Sequence, residues 1–377
     1  MGKALLPGML LALGLWAAPV QADAVQTLGG RLEGKVHLRA GSCEIGGKTA
    51  AWNDLLYVIM DHSTRSIRPP QAVRLASGEV WLADVVALSA RKLKARSVLF
   101  GEREIDAGTV RSLDFLSDLA APAPGDKPGT LYREKGEPIP GALLWIDDQR
   151  LAIDSPLGVL TLPREGTARY LFQTGPAVAP PAKDEEIGLV DGTVLRGKAA
   201  PVQDALEVEH AVLGKLTIPA AAVRSVLRHV PAAAYLAELP MQSVDAVPLV
   251  ASPALPETLE YPTRGDSRAW PGPLACLRGI CIQPKTVVKY RLPKAAGPTA
   301  TLFATLGPVD EARGDVKVRI ASGDKALVER DLSPAAKPEA LSLPVPSGGE
   351  LTIEVDFGPR IAFPCGVVLG DPLVVLR

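Results

Sequence analysis

The chain has 377 residues, with 41 basic against 42 acidic side chains and a formal net charge of −1. That balance supplies no field to hold nucleic acid or an anionic membrane surface, so neither is expected as a partner. The 35 prolines and 35 glycines favour turns and short strands over long helices, and 5% aromatics leave few rings for a stacking platform.

Residues 1–22 open with Lys3, continue through an almost wholly apolar run over 4–16, and end in the small-residue signal Val20-Gln21-Ala22. This order predicts a secretory signal peptide cut after Ala22. A membrane anchor is the alternative, but the run is short and holds Pro7 and Pro19. The expectation is an exported chain, secreted or held in the periplasm or cell envelope, with no stable membrane span after cleavage. In such a compartment four cysteines allow two disulfides. Cys276, Cys281 and Cys365 lie late and Cys43 is remote, so one bridge among the late three is expected. There is no C-x-x-C and no histidine beside a cysteine, so no metal or other cofactor is expected.

The next two hundred residues repeat themselves. Residues 190–227 and 133–172 share an extended segment ending in Gly197 or Gly141, a polar turn, and a strand (LEVEH or LAIDS). Leu-Gly, a strand ending in proline (KLTIP or VLTLP) and a last apolar stretch follow. A third copy spans 73–115, with Ala83 at the first glycine position, and a more worn copy surrounds Gly34. The equivalent positions 34, 83, 141 and 197 are 49, 58 and 56 residues apart, the mark of a duplicated unit. Period-two alternation inside each copy predicts half-buried strands, and the glycine within a strand predicts the bend a small barrel needs. Each copy is too small to bury much core alone, so the copies are expected to pack in pairs. Repeats 1 and 2 occupy 23–119, repeat 3 occupies 130–174 and repeat 4 occupies 185–230. Proline-rich linkers at 120–129 and 175–183 separate them. The glycine–turn–strand order resembles the Sm-like or SH3-like small barrel, one copy at a time. RNA binding is not carried over, because the chain is nearly neutral and has no basic, aromatic-interleaved stripe.

Residues 231–258 read as a linker, with a short helix expected over 231–239 between flanking prolines. From there the pattern changes. Val288, Tyr290 and Leu292 share one strand face; Val316, Val318 and Ile320 share another; Leu351, Ile353, Val355 and Phe357 share a third. Half-buried antiparallel strands of this kind predict a β-sandwich.

Few residues carry chemistry. His37, His62, His210 and His229 are scattered and read as strand caps or solvent-facing groups. Asp61-His62-Ser63 are adjacent and cannot form a spatial relay. Asp147-Asp148 and Glu185-Glu186 read as turn and solvated-face carboxylates, and Asp310-Glu311 as a solvated turn with a structural calcium as the alternative. An enzyme is not expected. Tyr261, Arg264 and Trp270 are the ligand-binding candidates, offering aromatic faces and a guanidinium, although Trp270 reads equally well as a core plug.

The order Asp266-Ser267-Arg268, Gly272-Pro273-Leu274, Gly279-Ile280, Tyr290 resembles the opening of the NPCBM/NEW2 domain, a carbohydrate-binding module. Residues 302–320 resemble its central strands, and 351–358 and 370–377 its last two. The resemblance covers 259–377, and small-barrel repeats before such a domain resemble exported planctomycete proteins. It implies a galactose-binding-like jelly roll, making the whole chain all-β: tandem small barrels or meanders followed by a jelly-roll β-sandwich. Cys281 stands where the family carries histidine, and 363–369 replaces an aspartate- and tryptophan-rich segment. Against that pattern a Cys281–Cys365 disulfide is the favoured pairing and Cys276–Cys281 its rival. The implied function is that of a non-enzymatic protein binding a glycan or cell-envelope polysaccharide through the jelly roll. The alternative is a structural or adaptor protein with a degenerate glycan site, acting through protein contacts.

Overall fold

A computed structural model describes residues 23–60, 71–116, 119, 121–123, 125–173, 184–247, 276–309 and 312–376. The chain is all-β, with only short 3-10 turns among the described residues besides strands. Among those residues, no helix is long and apolar enough to cross a membrane. The leader at 1–22 and the linker at 175–183 lie outside them.

Four copies of one small barrel fill the first part. The first copy contains β1 (Ala24–Thr27), β2 (Gly30–Glu33), β3 (Val36–Arg39), β4 (Ser42–Ile45), β5 (Lys48–Ala51) and β6 (Leu55–Ile59). The second contains β7 (Ala72–Leu75), β8 (Val80–Leu82), β9 (Asp84–Ser89), β10 (Lys92–Ser97), β11 (Gly101–Asp106) and β12 (Val110–Asp114). The third contains β13 (Thr130–Arg133), β14 (Ile139–Pro140), β15 (Ala142–Ile146), β16 (Arg150–Ser155), β17 (Gly158–Pro163) and β18 (Thr167–Leu171). The fourth contains β19 (Glu185–Leu189), β20 (Val194–Val202), β21 (Ala205–His210), β22 (Gly214–Pro219) and β23 (Val223–Leu227). Each copy is a hairpin whose second arm bends into a three-stranded meander, then a tight turn and a closing strand. The bend falls at the duplicated position. A Cβ on Gly197 would come 2.6 Å from the Glu209 carbonyl oxygen, so the strand crosses its neighbour too closely for a side chain.

The copies merge by edge pairing, which covers some of the exposed edges each would carry alone. One fourteen-stranded sheet runs through them in the spatial order third, second, fourth, first copy. Closing strands meet antiparallel at two junctions: β18 on β12, with Leu113 opposite Tyr170, and β23 on β6, with Val226 opposite Val58. The pairing expected from the sequence is thus present. Charge is buried at these seams. Arg74 Nε and Arg169 Nε lie 2.7 and 2.6 Å from the two oxygens of Asp114, which is 1% exposed. In the other pair, Arg228 bonds Glu185 at 3.2 Å and stacks over Trp52, while Trp52 Nε1 donates to the Ala199 carbonyl at 3.0 Å. The middle junction is thin, with β8 and β20 paired only at Val80 and Val194.

The sandwich begins earlier than the sequence reading places it. It contains β24 (Ala233–Tyr235), β25 (Met241–Ala246), β26 (Gly279–Ile282), β27 (Thr286–Arg291), β28 (Thr299–Pro308), β29 (Val316–Ser322), β30 (Lys325–Leu332), β31 (Glu339–Pro346), β32 (Glu350–Phe357) and β33 (Val367–Leu376). The short helix expected over 231–239 is instead β24 and a 3-10 turn, Leu236–Glu238. Pairing with β33 overrides the local helix preference, since it satisfies the backbone of 233–235 in a sheet. Two five-stranded sheets, β24-β33-β28-β31 with β26 on β33, and β25-β27-β32-β29-β30, face each other with jelly-roll connections. Their core holds the predicted faces: Val288 and Tyr290, Val318 and Ile320, Leu351, Ile353 and Val355. Burial pushes the Tyr290 hydroxyl up to about 12.

Strand β33 is buried along nearly its whole length because it is covered on both sides. Val367, Leu369 and Val374 enter the sandwich core. Leu373 and Val375 face outward onto Leu56, Tyr57, Ile59, Leu227 and Tyr235, an apolar seam that joins the sandwich to the first and fourth barrels.

Candidate functional site

Beyond that seam the first barrel and the outward face of the sandwich diverge, leaving a cleft of about 190 Å³. The barrel supplies Gln26 from β1, Arg31 from β2 and Tyr57 from β6. The sandwich supplies Phe303 and Thr305 from β28, Ala340 and Ser342 from β31, and Gly370 and Asp371 from β33. Strand alternation explains the sandwich wall. Phe303, Thr305 and Ser342 occupy outward positions, while their neighbours Leu302, Leu306 and Leu341 enter the core.

The deepest groups are polar. Gln26 and Tyr57 are each 2% exposed and Asp371 is 4% exposed. Asp371 is held by the segment that leads into β26: Oδ1 accepts the Leu277 amide at 2.7 Å and the Arg278 amide at 2.9 Å. Burial raises the Tyr57 hydroxyl far above its ordinary range, and the nearby Asp371 carboxylate adds to it. Arg31, in hydrogen-bond contact with that hydroxyl, acts in the opposite direction without reversing the shift. Tyr57 is therefore a neutral phenol, able to donate and accept.

A chain of alternating charges closes the other flank of the junction. Arg196 Nη2 lies 3.0 Å from Glu186, and Glu186 receives Arg278 Nη2 at 2.9 Å on both oxygens. Arg278 Nε also donates to Glu238 at 3.2 Å, and Glu238 pairs with His229 at 3.1 Å. The hydrogen bond with Glu238 raises His229 above its ordinary value against the opposing effect of burial. A smaller cavity of about 60 Å³ sits beside this network, between Glu186, Ser225 and Arg278.

The sequence-predicted ligand residues Tyr261, Arg264 and Trp270 lie outside the described residues, as do Asp61-His62-Ser63 and Asp310-Glu311. The favoured Cys281–Cys365 bridge is not formed: Cys365 is a buried thiol in the sandwich core, and desolvation raises it. The reason is alternation along β26. Ile280 and Ile282 enter the core with Cys365, whereas Cys281 turns to the opposite face and packs with Cys276 and Val368. Glu185 and Glu186 are not solvated-face carboxylates, since Glu185 is 8% exposed against Arg228 and Glu186 bridges two arginines. His210 is not a surface group either. It is 4% exposed, its Nε2 is 2.8 Å from Glu79, and its Nδ1 accepts the Val212 and Leu213 amides, each at 3.0 Å. Among the described residues no cluster of histidine, cysteine and carboxylate side chains could hold a metal ion.

Arg31, Tyr57 and Asp371 escape the sequence reading. Only Asp371 leaves a signal, a carboxylate inside the apolar run VVLGDPLVVL. A buried polar group in such a run is informative because it must find partners.

No family model matches the chain, and no curated protein does. Solved structures show distant likeness. The CBM51-2 and INT domains of Clostridium perfringens ZmpB, in complex with GlcNAc, align at 11% identity over 51% of this chain and 38% of that one, with a TM-score of 0.30. The chain thus spans well under half of that structure. The CBM51 of C. perfringens GH95, in complex with methyl-galactose, aligns at 14% identity over 38% of this chain and 99% of that one, with a TM-score of 0.29. The tandem CBM51 modules of Streptococcus pneumoniae Sp3GH98 align at 9% identity over 81% and 88%, with a TM-score of 0.29. At these scores the fold rests on the strands described above and not on likeness.

Proposed function

We propose that the chain is a non-catalytic, exported carbohydrate-binding protein whose ligand site is the cleft between the first barrel and the sandwich. One observation carries this reading: buried Gln26, Tyr57 and Asp371, with Arg31, Thr305 and Ser342, line one cleft beside the Phe303 ring. That set pairs donors and acceptors with an aromatic wall, which suits a neutral ligand rich in hydroxyls. A volume of about 190 Å³ suits a single sugar residue rather than a bound oligosaccharide. Tyr57 is held neutral and Asp371 is engaged by two backbone amides, so neither is prepared as a general base. The residue order that resembles NPCBM/NEW2 supports the same ligand class.

Thr305→Trp tests the assignment, because position 305 faces the cleft and not the sandwich core. The full chain is expected to retain a monosaccharide-terminated glycan on an array, with affinity confirmed by calorimetry. The variant should lose that binding at an unchanged melting temperature. An unmodified chain that retains no glycan, or a variant that binds as well as the parent, would refute the assignment.

A further inference from the structure

Each barrel carries an outer meander strand, and in the four copies these are β5, β11, β17 and β22. The described structure pairs each of them on one side only. An edge of this kind invites another strand, and charge is a common protection. Three copies have it. Lys48 lies on β5; Glu102, Arg103 and Glu104 lie on β11; and Lys215 on β22 pairs with Glu207 at 2.9 Å. The third copy does not. Its β17 reads GVLTLP where β22 reads GKLTIP, so Val159 replaces Lys215, and Ala152 replaces Glu207 on the neighbouring strand. The exposed surface follows suit: Leu157 is 90% exposed and Val159 62%.

The backbone of β17 is also directed outward at defined positions. Its register on β16 runs from Ser155 opposite Gly158 to Arg150 opposite Pro163, and the Arg164 amide donates to the Gln149 carbonyl at 2.8 Å. Hydrogen-bonded rungs alternate in an antiparallel pair. Gly158, Leu160 and Leu162 therefore bond β16, and the amides and carbonyls of Val159 and Thr161 turn away from it.

We propose that β17 is a dimer edge, which pairs antiparallel with β17 of a second copy of this chain about a two-fold axis through Leu160. This register is self-complementary. Val159 of each copy meets Thr161 of the other and exchanges both backbone bonds. Leu160 faces its own equivalent at a close, non-hydrogen-bonded rung, and Leu157 covers Pro163. The two six-stranded sheets β11-β10-β9-β15-β16-β17 become one of twelve strands. A second copy is the favoured occupant for two reasons. The edge segment is uncharged, so two copies meet there without repulsion between like charges. The chain also already joins its own barrels by antiparallel edge pairing, β18 on β12 and β23 on β6.

Sedimentation of the full chain at micromolar concentration, with variants of β17, tests this. The parent should sediment at twice the chain mass. Val159→Lys restores the residue found in the fourth copy and should give a monomer with an unchanged far-UV spectrum. Thr161→Pro removes an amide that makes no backbone bond among the described residues, so it should also give a folded monomer. Leu160→Cys should form an inter-chain disulfide on mild oxidation, while Thr161→Cys should not, because only position 160 meets itself. A monomeric parent overturns the proposal, including one that captures an extended foreign peptide on β17. So does a dimer that survives both Val159→Lys and Thr161→Pro.

Discussion

Glu79 and His210 show how single residues hold the thin middle junction. Nδ1 of His210 accepts two amides, so the proton resides on Nε2 and points at Glu79. Burial alone would raise the Glu79 carboxyl, but bonds from His210, Ser77 and the Arg196 amide outweigh it and hold it below the ordinary 4.5. A carboxyl lowered by folding contributes stability that is complete above its unfolded value and lost as pH falls through the folded one. Urea midpoints should therefore decline as pH drops below about 4.5, and Glu79→Gln should flatten that decline while lowering the midpoint at neutral pH. An acid limb of the same slope in the variant would assign the loss to other carboxylates. His229 has the opposite sign. Its raised value means that its contribution is complete below the ordinary 6.5 and is lost as pH rises from there through its folded value.

At the level of strands, the duplicated pattern was legible because it is local. Alternation marks β29 and β32, and the glycine positions mark the bend of each barrel. Gly197 and Ala83 occupy the same place, yet a Cβ is accommodated only in the second copy. At Gly197 it would meet Glu209 oxygen at 2.6 Å and Val208 Cγ1 at 2.9 Å. Gly197→Ala should cost about 1–3 kcal/mol by denaturant unfolding, as overpacking does elsewhere. A neutral result would show that the bend relaxes as it does at Ala83. What was not legible is long-range. Nothing near residue 233 in sequence announces that β33, more than a hundred residues away, will claim it as a strand. Glu185 and Glu186 look like a solvated pair because adjacent residues on a strand face opposite sides, and the arginines that bury them arrive from residues 196, 228 and 278. The cleft belongs to this class, since its walls lie at opposite ends of the chain.

For the whole molecule, that separation makes the junction the controlling feature. The apolar seam around Tyr57, Leu373 and Val375 supplies adhesion, and Arg278 supplies orientation by engaging Glu186 of the fourth barrel and Glu238 beside the sandwich. Arg278 is 18% exposed in its side chain, so its loss leaves Glu186 and Glu238 with one fewer partner in a partly desolvated site. Barrels and sandwich each possess their own core, which means that each body can remain folded when the contact between them loosens. Calorimetry of the parent chain should show one coupled transition, and Arg278→Ala should separate it into two. The same variant should weaken the proposed glycan binding although Arg278 lies outside the cleft, because Gln26, Arg31 and Tyr57 would no longer be held opposite Phe303 and Asp371. Conversely, a saturating sugar should draw the two transitions of Arg278→Ala back together, since a ligand bound to both walls stabilises only the joined state. Two transitions that ignore the ligand would place the sugar on one body alone and remove the barrel from the site.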